Sequence, residues 1–99
     1  MEFTASPELK EYLLHKNKRY IVVEVVSSDH SDIEITELYA HVIPDKKAAE
    51  FLKKRYVERQ ADFAAILLPP YRLRYAETVH FTLHSFLGIK SIRQEGIEL

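Results

Sequence analysis

The feature that most constrains the fold is the stretch from Arg19 to Val26, where β-branched side chains fill five of the six positions from Ile21 to Val26. Only Glu24 interrupts them. β-Branched residues pack well on a pleated surface, so the stretch predicts a central strand. We expect the residues before it to form a helix that packs on this strand, and the residues after it to pair with it or cover it.

Length and charge limit what this strand can belong to. A chain of 99 residues predicts one domain, residues 1–99, that buries roughly 60 to 70% of its unfolded surface. The 14 basic and 15 acidic side chains nearly balance, which makes nucleic acid an unlikely partner. There is no apolar run of membrane-spanning length, and Met1-Glu2-Phe3-Thr4 lacks the pattern of a signal peptide. We therefore expect a cytoplasmic protein without membrane contact.

The residues that are missing exclude several chemistries. The chain has no cysteine, which removes disulfides, thiolate nucleophiles, cysteine zinc sites and cysteine-ligated iron-sulfur clusters. Its two glycines, Gly88 and Gly96, do not lie in a phosphate-binding loop pattern. No G-x-S-x-G or H-E-x-x-H motif occurs. We expect no cofactor, and an enzyme is less favoured than a binding protein.

Two helices are predicted. Ser6-Pro7-Glu8 supplies an N-cap, a proline at the first helical position and an acid in the first turn, and the basic run His15 to Arg19 suits a helix C-terminus. Pro44-Asp45 predicts the start of a second helix from Lys46 to about Gln60. We expect both helices to pack on the strand face that carries Ile21, Val23 and Val25.

The segment from Ile33 to Ile43 permits two interpretations. As a strand it needs a bulge near Thr36-Glu37, because its apolar positions change face there. As a helix it has an apolar stripe at Ile35, Leu38, Tyr39 and Val42. The strand is preferred because Ile, Thr, Tyr and Val dominate, and because the turn predicted from Ser27 to Asp32 is short enough for a hairpin.

The C-terminal half predicts a short buried strand from Ala64 to Leu68, an alternating edge segment from Tyr71 to Tyr75 and a strand from Glu77 to His84. The tail predicts one helical turn capped by Ser85 and a last strand from Gly96 to Leu99. With a short strand predicted from Met1 to Thr4, the order is about β-α-β-β-α-β-β-β. This is an α+β fold, with an antiparallel or mixed sheet packed by two helices.

The histidines and one carboxylate are the candidates for chemistry. His30 is the best metal-ligand candidate, since Asp29 and Asp32 accompany it in one polar loop that could bind a ligand or a hard cation. A polar turn has the same composition, so the plain turn stays an alternative. His80 and His84 share a strand face but lie about 13 Å apart, too far to ligate one metal without other residues.

The remaining candidates have no partner in the sequence. His15 and His41 lie near the ends of predicted elements, and no neighbouring residue would make them catalytic. For Glu24 we prefer the solvent face of the strand, and a buried carboxylate with a perturbed pKa is the alternative.

Two segments resemble a known family. Phe3 to Leu13, followed by the strand through Val26 and a small polar loop, resembles the opening of HesB-like iron-sulfur carrier proteins, and Phe86 to Ile92 with Gly96-Ile97 is similar to the tail of short members. Where the family loop carries a cysteine followed by serine, this chain has His30-Ser31, and the C-terminal cysteine pair is missing. The resemblance implies a scaffold or a diverged binding module, and we predict no stable iron-sulfur cluster on reconstitution.

Three hypotheses follow for function. The first is a non-enzymatic interaction or assembly module that forms a homodimer or binds another protein through Tyr71, Leu73 and Tyr75 and through an exposed terminal strand. The second is a histidine-based domain that binds a divalent metal or a small ligand. The third is an unrecognised enzyme or an RNA-binding domain, for which the tyrosine and arginine alternation from Tyr71 to Tyr75 is the relevant pattern.

Overall fold

The computed structural model describes residues 1–30 and 33–99, with the backbone alone for 27–30 and 33–36. Within these residues the chain forms two helices and seven strands. They follow in the order β1 (Glu2–Ala5), α1 (Pro7–His15), β2 (Tyr20–His30), β3 (Ile33–Ile43), α2 (Asp45–Lys53), β4 (Val57–Gln60), β5 (Ala65–Leu68), β6 (Arg74–Phe86) and β7 (Ile89–Glu98). The α+β class predicted from the sequence is confirmed.

The strands form one mixed sheet in the order β1-β6-β7-β3-β2-β5-β4. The pairs β1–β6 and β2–β5 are parallel, and the other neighbouring pairs are antiparallel. The short strands β1 and β4 therefore form the two edges. The central position predicted for the β-branched stretch is confirmed, since β2 lies between β3 and β5.

Helix α1 begins where the sequence predicts. The Ser6 hydroxyl accepts a hydrogen bond from the Leu9 amide at 3.3 Å, and Pro7 occupies the first turn. The Ser6 amide donates to the carbonyl of Phe81 at 2.9 Å, which ties the start of the helix to β6. Leu9 and Leu13 are buried in the main core, on one face of the sheet, with residues from both of its halves, among them Ile21, Val23, Ile66, Val79 and Phe81.

The second helix packs on the other face of β2, which corrects the expectation that both helices share one face. Ala48 of α2 is buried with Val22, Ile43 and Leu67 in a smaller cluster, and Phe51 packs against it. Successive side chains of a strand point to opposite faces, so Val22 and Val23 belong to different clusters. Apolar residues run without alternation through Ile21, Val22 and Val23 because both faces of β2 are covered there.

Helix α2 is shorter than predicted. It ends at Lys53 rather than near Gln60, and Arg55 has a φ of +70°, in the left-handed region that cannot continue a right-handed helix. The residues that follow form β4, which pairs with β5 from Val57–Leu68 to Gln60–Ala65. Backbone pairing with a buried strand therefore overrides the helical tendency of this segment.

Strands β2 and β3 form a long hairpin. Their register runs one to one from Tyr20–Ile43 to His30–Ile33, so the strand interpretation of residues 33–43 is confirmed and the bulge proposed near Thr36-Glu37 is wrong. The predicted turn is also too long, because the backbone from Ser27 to His30 is strand. Asp32 lies outside the described residues.

Strands β6 and β7 form a second hairpin, where the sequence predicted a helical turn. Phe86 pairs with Ile89, and the two residues between them, Leu87 and Gly88, both have positive φ. Two central residues with positive φ are typical of the tight turn that matches strand twist. At the other end, Gly96 has a φ of +112°, and a Cβ placed there would lie 2.7 Å from the Thr78 carbonyl oxygen.

Neither helix among the described residues is long and apolar enough to cross a membrane.

Candidate functional site

The site predicted from the sequence is Asp29, His30 and Asp32. Asp29 and His30 lie on the backbone of β2, where they pair with Glu34 and Ile33, but their side chains are outside the described part of the structure. Asp32 is outside it altogether. Ligand or metal binding by these residues therefore stays a prediction. Titration of zinc, manganese and ferrous ions into the protein and into His30→Ala tests it.

Two of the other histidines lie on β6 as predicted. His80 is half-buried, and its Nδ1 lies 2.7 Å from the Thr4 hydroxyl of β1, so it joins an edge strand to the sheet. His84 lies four residues along the same strand. Among the described side chains no three histidines, aspartates or glutamates gather as metal ligands would.

The structure brings together two residues that the sequence kept apart, Glu24 of β2 and His41 of β3. The His41 Nε2 contacts the Glu24 carboxylate, and the two side chains are 45% and 31% exposed. Glu24 is therefore half-buried and paired. This is intermediate between the solvent-facing carboxylate preferred from the sequence and the buried carboxylate that was the alternative. A partly desolvated carboxylate–imidazole pair can orient a ligand through its hydrogen bonds.

The Glu24–His41 pair borders a groove, called here the seam groove, at the junction of β3 and β7. Among the described residues these two strands share one register pair, Ala40 with Ile92, so backbone pairing is brief and an opening remains. The groove has a volume of about 400 Å³, and α1, β2, β3, β6 and β7 all contribute to its wall. This size is within the range of small-molecule sites.

The end of the seam groove opposite Glu24 is formed by α1 and β7. The Lys90 ammonium lies 5.6 Å from the centre of the Tyr12 ring, a distance at which the cation is attracted to the ring face. Val42, Leu83 and Ile92 supply apolar wall on the same face as Tyr12, whereas Glu24 and His41 lie on the opposite face of the sheet. The groove therefore carries its cation and its carboxylate on opposite faces of the sheet.

Two tyrosines near the Glu24–His41 pair have raised pKa values. The Tyr39 hydroxyl donates a hydrogen bond to Glu37, and this bond, together with the negative charge of Glu37, raises the pKa of Tyr39. Partial burial raises the pKa of Tyr56, and the negative charge of Glu24 contributes to the same shift. Both hydroxyls therefore stay protonated and remain hydrogen-bond donors at neutral pH.

Sequence reasoning missed the Glu24–His41 pair because the two residues are 17 positions apart. A hairpin with the observed register places Glu24 opposite Tyr39, and His41 is then its diagonal neighbour on the same face. A prediction of a shorter turn would have given this register and placed the two residues together. The predicted turn from Ser27 to Asp32 was too long and gave a different register.

A second feature is the tip of the β6–β7 hairpin, called here the hairpin tip and formed by Phe86, Leu87 and Ile89. These side chains are 66%, 85% and 72% exposed. Three large apolar side chains in one turn form an exposed patch of the kind that marks contact surfaces.

The contact surface predicted around Tyr71, Leu73 and Tyr75 is only partly present. Tyr71 is exposed, but Leu73 and Tyr75 pack against the main core, and burial raises the pKa of Tyr75. The terminal strand is not an open edge either, because β7 lies between β6 and β3. The exposed apolar surface of this half of the chain is therefore concentrated at the hairpin tip.

Comparisons with known proteins give one distant structural similarity. No family model matches the chain, and no curated protein matches its sequence. The fold is similar to the crystal structure of Escherichia coli SufA, described as involved in biosynthesis of iron-sulfur clusters, with a TM-score of 0.45 and 12% sequence identity. The alignment covers 96% of this chain and 80% of SufA.

Proposed function

We propose that this protein is a non-enzymatic assembly module that associates with a second copy of itself through the hairpin tip. The observation that carries the proposal is the exposure of Phe86, Leu87 and Ile89, each of which leaves about two thirds or more of its surface in water. Burying one such side chain contributes about 1.5 to 3 kcal/mol. A partner that covers all three gains enough to offset part of the entropy lost on association.

The small net charge of the chain and the apolar character of the tip favour a second copy as the partner. The net charge is −1, so two copies repel each other weakly. A two-fold dimer places the same patch of each subunit against the other, and an apolar patch is complementary to itself. A standard interface needs roughly 800 Å² from each partner, and the chain exposes 7093 Å² in total. The tip would form the centre of such an interface.

The resemblance to HesB-like proteins enters the proposal only as a scaffold. The chain has no cysteine, so ligation of a cluster by thiolates is not part of the proposed function. What the resemblance contributes is a small α+β framework that could present a contact surface to a partner.

Sedimentation equilibrium tests the association. We expect the wild type to show twice the monomer mass at tens of micromolar and Leu87→Glu to be monomeric, because a buried carboxylate at the tip is costly. Val57→Glu on β4 is the control, since Val57 is also an exposed apolar residue but lies on the edge farthest from β6 and β7. A wild-type monomer, or a dimer unchanged by Leu87→Glu, would overturn the proposal.

A further inference from the structure

One face of the sheet, called here the α2 face, carries Val22 and Leu67 under helix α2 and, further along β2, the carboxylate of Glu24. We propose that the seam groove, where it opens on this face, binds a trimethylammonium group. Glu24 would be its counter-ion, and the rings of Tyr39 and Tyr56 would flank it. The site is separate from the proposed self-association, since the hairpin tip does not line the groove.

These side chains share one face, so a ligand meets them without crossing the sheet. Glu24 follows Val22 by two residues along β2 and therefore points to the same side. Tyr39 is the register partner of Glu24 on β3, which places their Cβ atoms roughly 5 Å apart. Both side chains line the seam groove, and Tyr56 packs against the cluster under α2 on this same face.

The two tyrosines lie on opposite sides of Glu24. Tyr39 comes from β3, which pairs with one edge of β2, and Tyr56 directly precedes β4, which lies beyond the other edge of β2. Burial and then the negative charge of Glu24 raise the pKa of Tyr56, so these two side chains are close enough to interact. A carboxylate between two aromatic rings supplies a counter-charge and electron-rich surfaces, which together attract an organic cation.

The negative charge at this place has no lysine or arginine against it. Among the described side chains Glu24 contacts His41 and forms no ion pair with a lysine or an arginine. Glu37, which accepts a hydrogen bond from the Tyr39 hydroxyl, adds a second carboxylate on the same face. Arg93 borders a neighbouring depression with Tyr39, and no described ion pair joins it to either carboxylate. The Glu24 side chain is 31% exposed, so a ligand can reach it.

The surroundings favour a methylated cation over a metal ion or a simple ammonium. Among the described side chains no three histidines, aspartates or glutamates gather as metal ligands would. Val26 and Tyr39, which line the groove on this face, are 43% and 48% exposed and give it an apolar rim. A simple ammonium is strongly hydrated, whereas methyl groups can contact such a rim and bring the positive charge to the rings.

The probe is choline, titrated at pH 8 and constant ionic strength into ¹⁵N-labelled full-length protein and followed by amide chemical shifts. We expect shifts centred on Glu24, Tyr39 and His41, with a dissociation constant on the order of 1 mM. The alcohol 3,3-dimethylbutan-1-ol has the shape of choline without its charge, and it should not shift these amides at the same concentrations. Ethanolamine keeps the charge without the methyl groups and should bind at least about threefold more weakly.

The trimethylammonium group has two possible sources, a free small molecule and a trimethylated lysine side chain. Titration of N-acetyl-trimethyllysine amide beside choline distinguishes them, because the tighter ligand identifies the source. Equal binding would confine recognition to the trimethylammonium group that the two share.

Matched variants test the ring and the counter-charge separately. Tyr39→Leu should weaken choline binding about threefold, and Tyr39→Phe, which keeps the ring, should stay within about twofold of the wild type. Glu24→Gln should weaken it about fivefold, because the counter-charge is lost. Tyr12→Leu is the control and should change nothing, since Tyr12 packs against the main core on the opposite face of the sheet.

Four results would overturn the proposal. They are the absence of shifts at about tenfold the expected dissociation constant, shifts confined to other residues, equal binding of choline and its neutral analogue, and binding unchanged by Tyr39→Leu or by Glu24→Gln. Preserved dispersion of the amide spectra shows that each variant is folded.

Discussion

Strand β3 meets its two neighbours in different ways. Towards β2 it forms an unbroken ladder from Tyr20–Ile43 to His30–Ile33, and towards β7 the described residues share the single register pair Ala40–Ile92. In the β2–β3 ladder the facing backbone groups of the two strands pair with each other and stabilise the hairpin. The junction with β7 leaves backbone and side chains free to form the seam groove. The comparison teaches that one strand can be paired along its whole length on one edge and only briefly on the other.

The two halves of the sheet are held together across this junction more by side chains than by backbone pairing. Leu9 and Leu13 of α1 belong to the same core cluster as Ile21 of β2 and Phe81 of β6. The Phe81 ring also lies 6.3 Å from Phe3 and 6.2 Å from Phe63, centre to centre. If the β2–β3 ladder and the β3–β7 junction differ in stability as they do in geometry, four results are expected.

The largest effect is expected at Phe81, which bridges the halves. Phe81→Ala should lower the free energy of unfolding by about 3 to 5 kcal/mol, because the side chain is fully buried and leaves a cavity. Urea unfolding followed by circular dichroism measures the loss. A loss below about 1 kcal/mol would show that the halves do not depend on this ring.

A smaller effect is expected inside the ladder at Val23. Val23→Ala should lower the free energy of unfolding by about 1 to 3 kcal/mol, since Val23 is fully buried beside Ala40. Glu24→Ala, on the opposite face of the same strand, is the control and should cost less because its side chain is partly exposed. If Glu24→Ala lowered the free energy of unfolding more than Val23→Ala, the Glu24–His41 pair would contribute more to stability than the buried valine.

The third prediction compares the two edges of β3 directly. In an antiparallel strand alternate residues direct their amides to opposite neighbours, so β3 contains its own internal control. Amides that face β2 should exchange with deuterium at least about tenfold more slowly than amides that face β7. Hydrogen exchange read by NMR measures both sets, and equal protection would mean that the junction is as closed as the ladder.

The smallest effect is expected for the Glu24–His41 contact itself. A double-mutant cycle with Glu24→Gln and His41→Gln should give a coupling energy of about 0.2 to 1 kcal/mol, because solvent reaches both side chains and screens their attraction. Thermal unfolding at pH 6 measures it. A coupling above about 2 kcal/mol would mean that the pair is a major contributor to the stability of the fold.

The sequence by itself determined the elements whose signals are local. Ser6-Pro7-Glu8 determined the start of α1, the β-branched run determined β2, and the alternation from Glu77 to His84 determined the middle of β6. Each signal acts through neighbouring residues, by capping, side-chain shape or periodicity, and so can be recognised without the rest of the chain.

Tertiary structure decided the elements that depend on a distant partner. β4 is exposed at every position and has no alternation to reveal it, so its pairing with β5 makes it a strand. The tail became a hairpin because Leu87 and Gly88 adopt positive φ and let β7 return along β6. Glu24 and His41 meet because the register of the β2–β3 hairpin makes them diagonal neighbours on one face, and a shift by one residue would separate them.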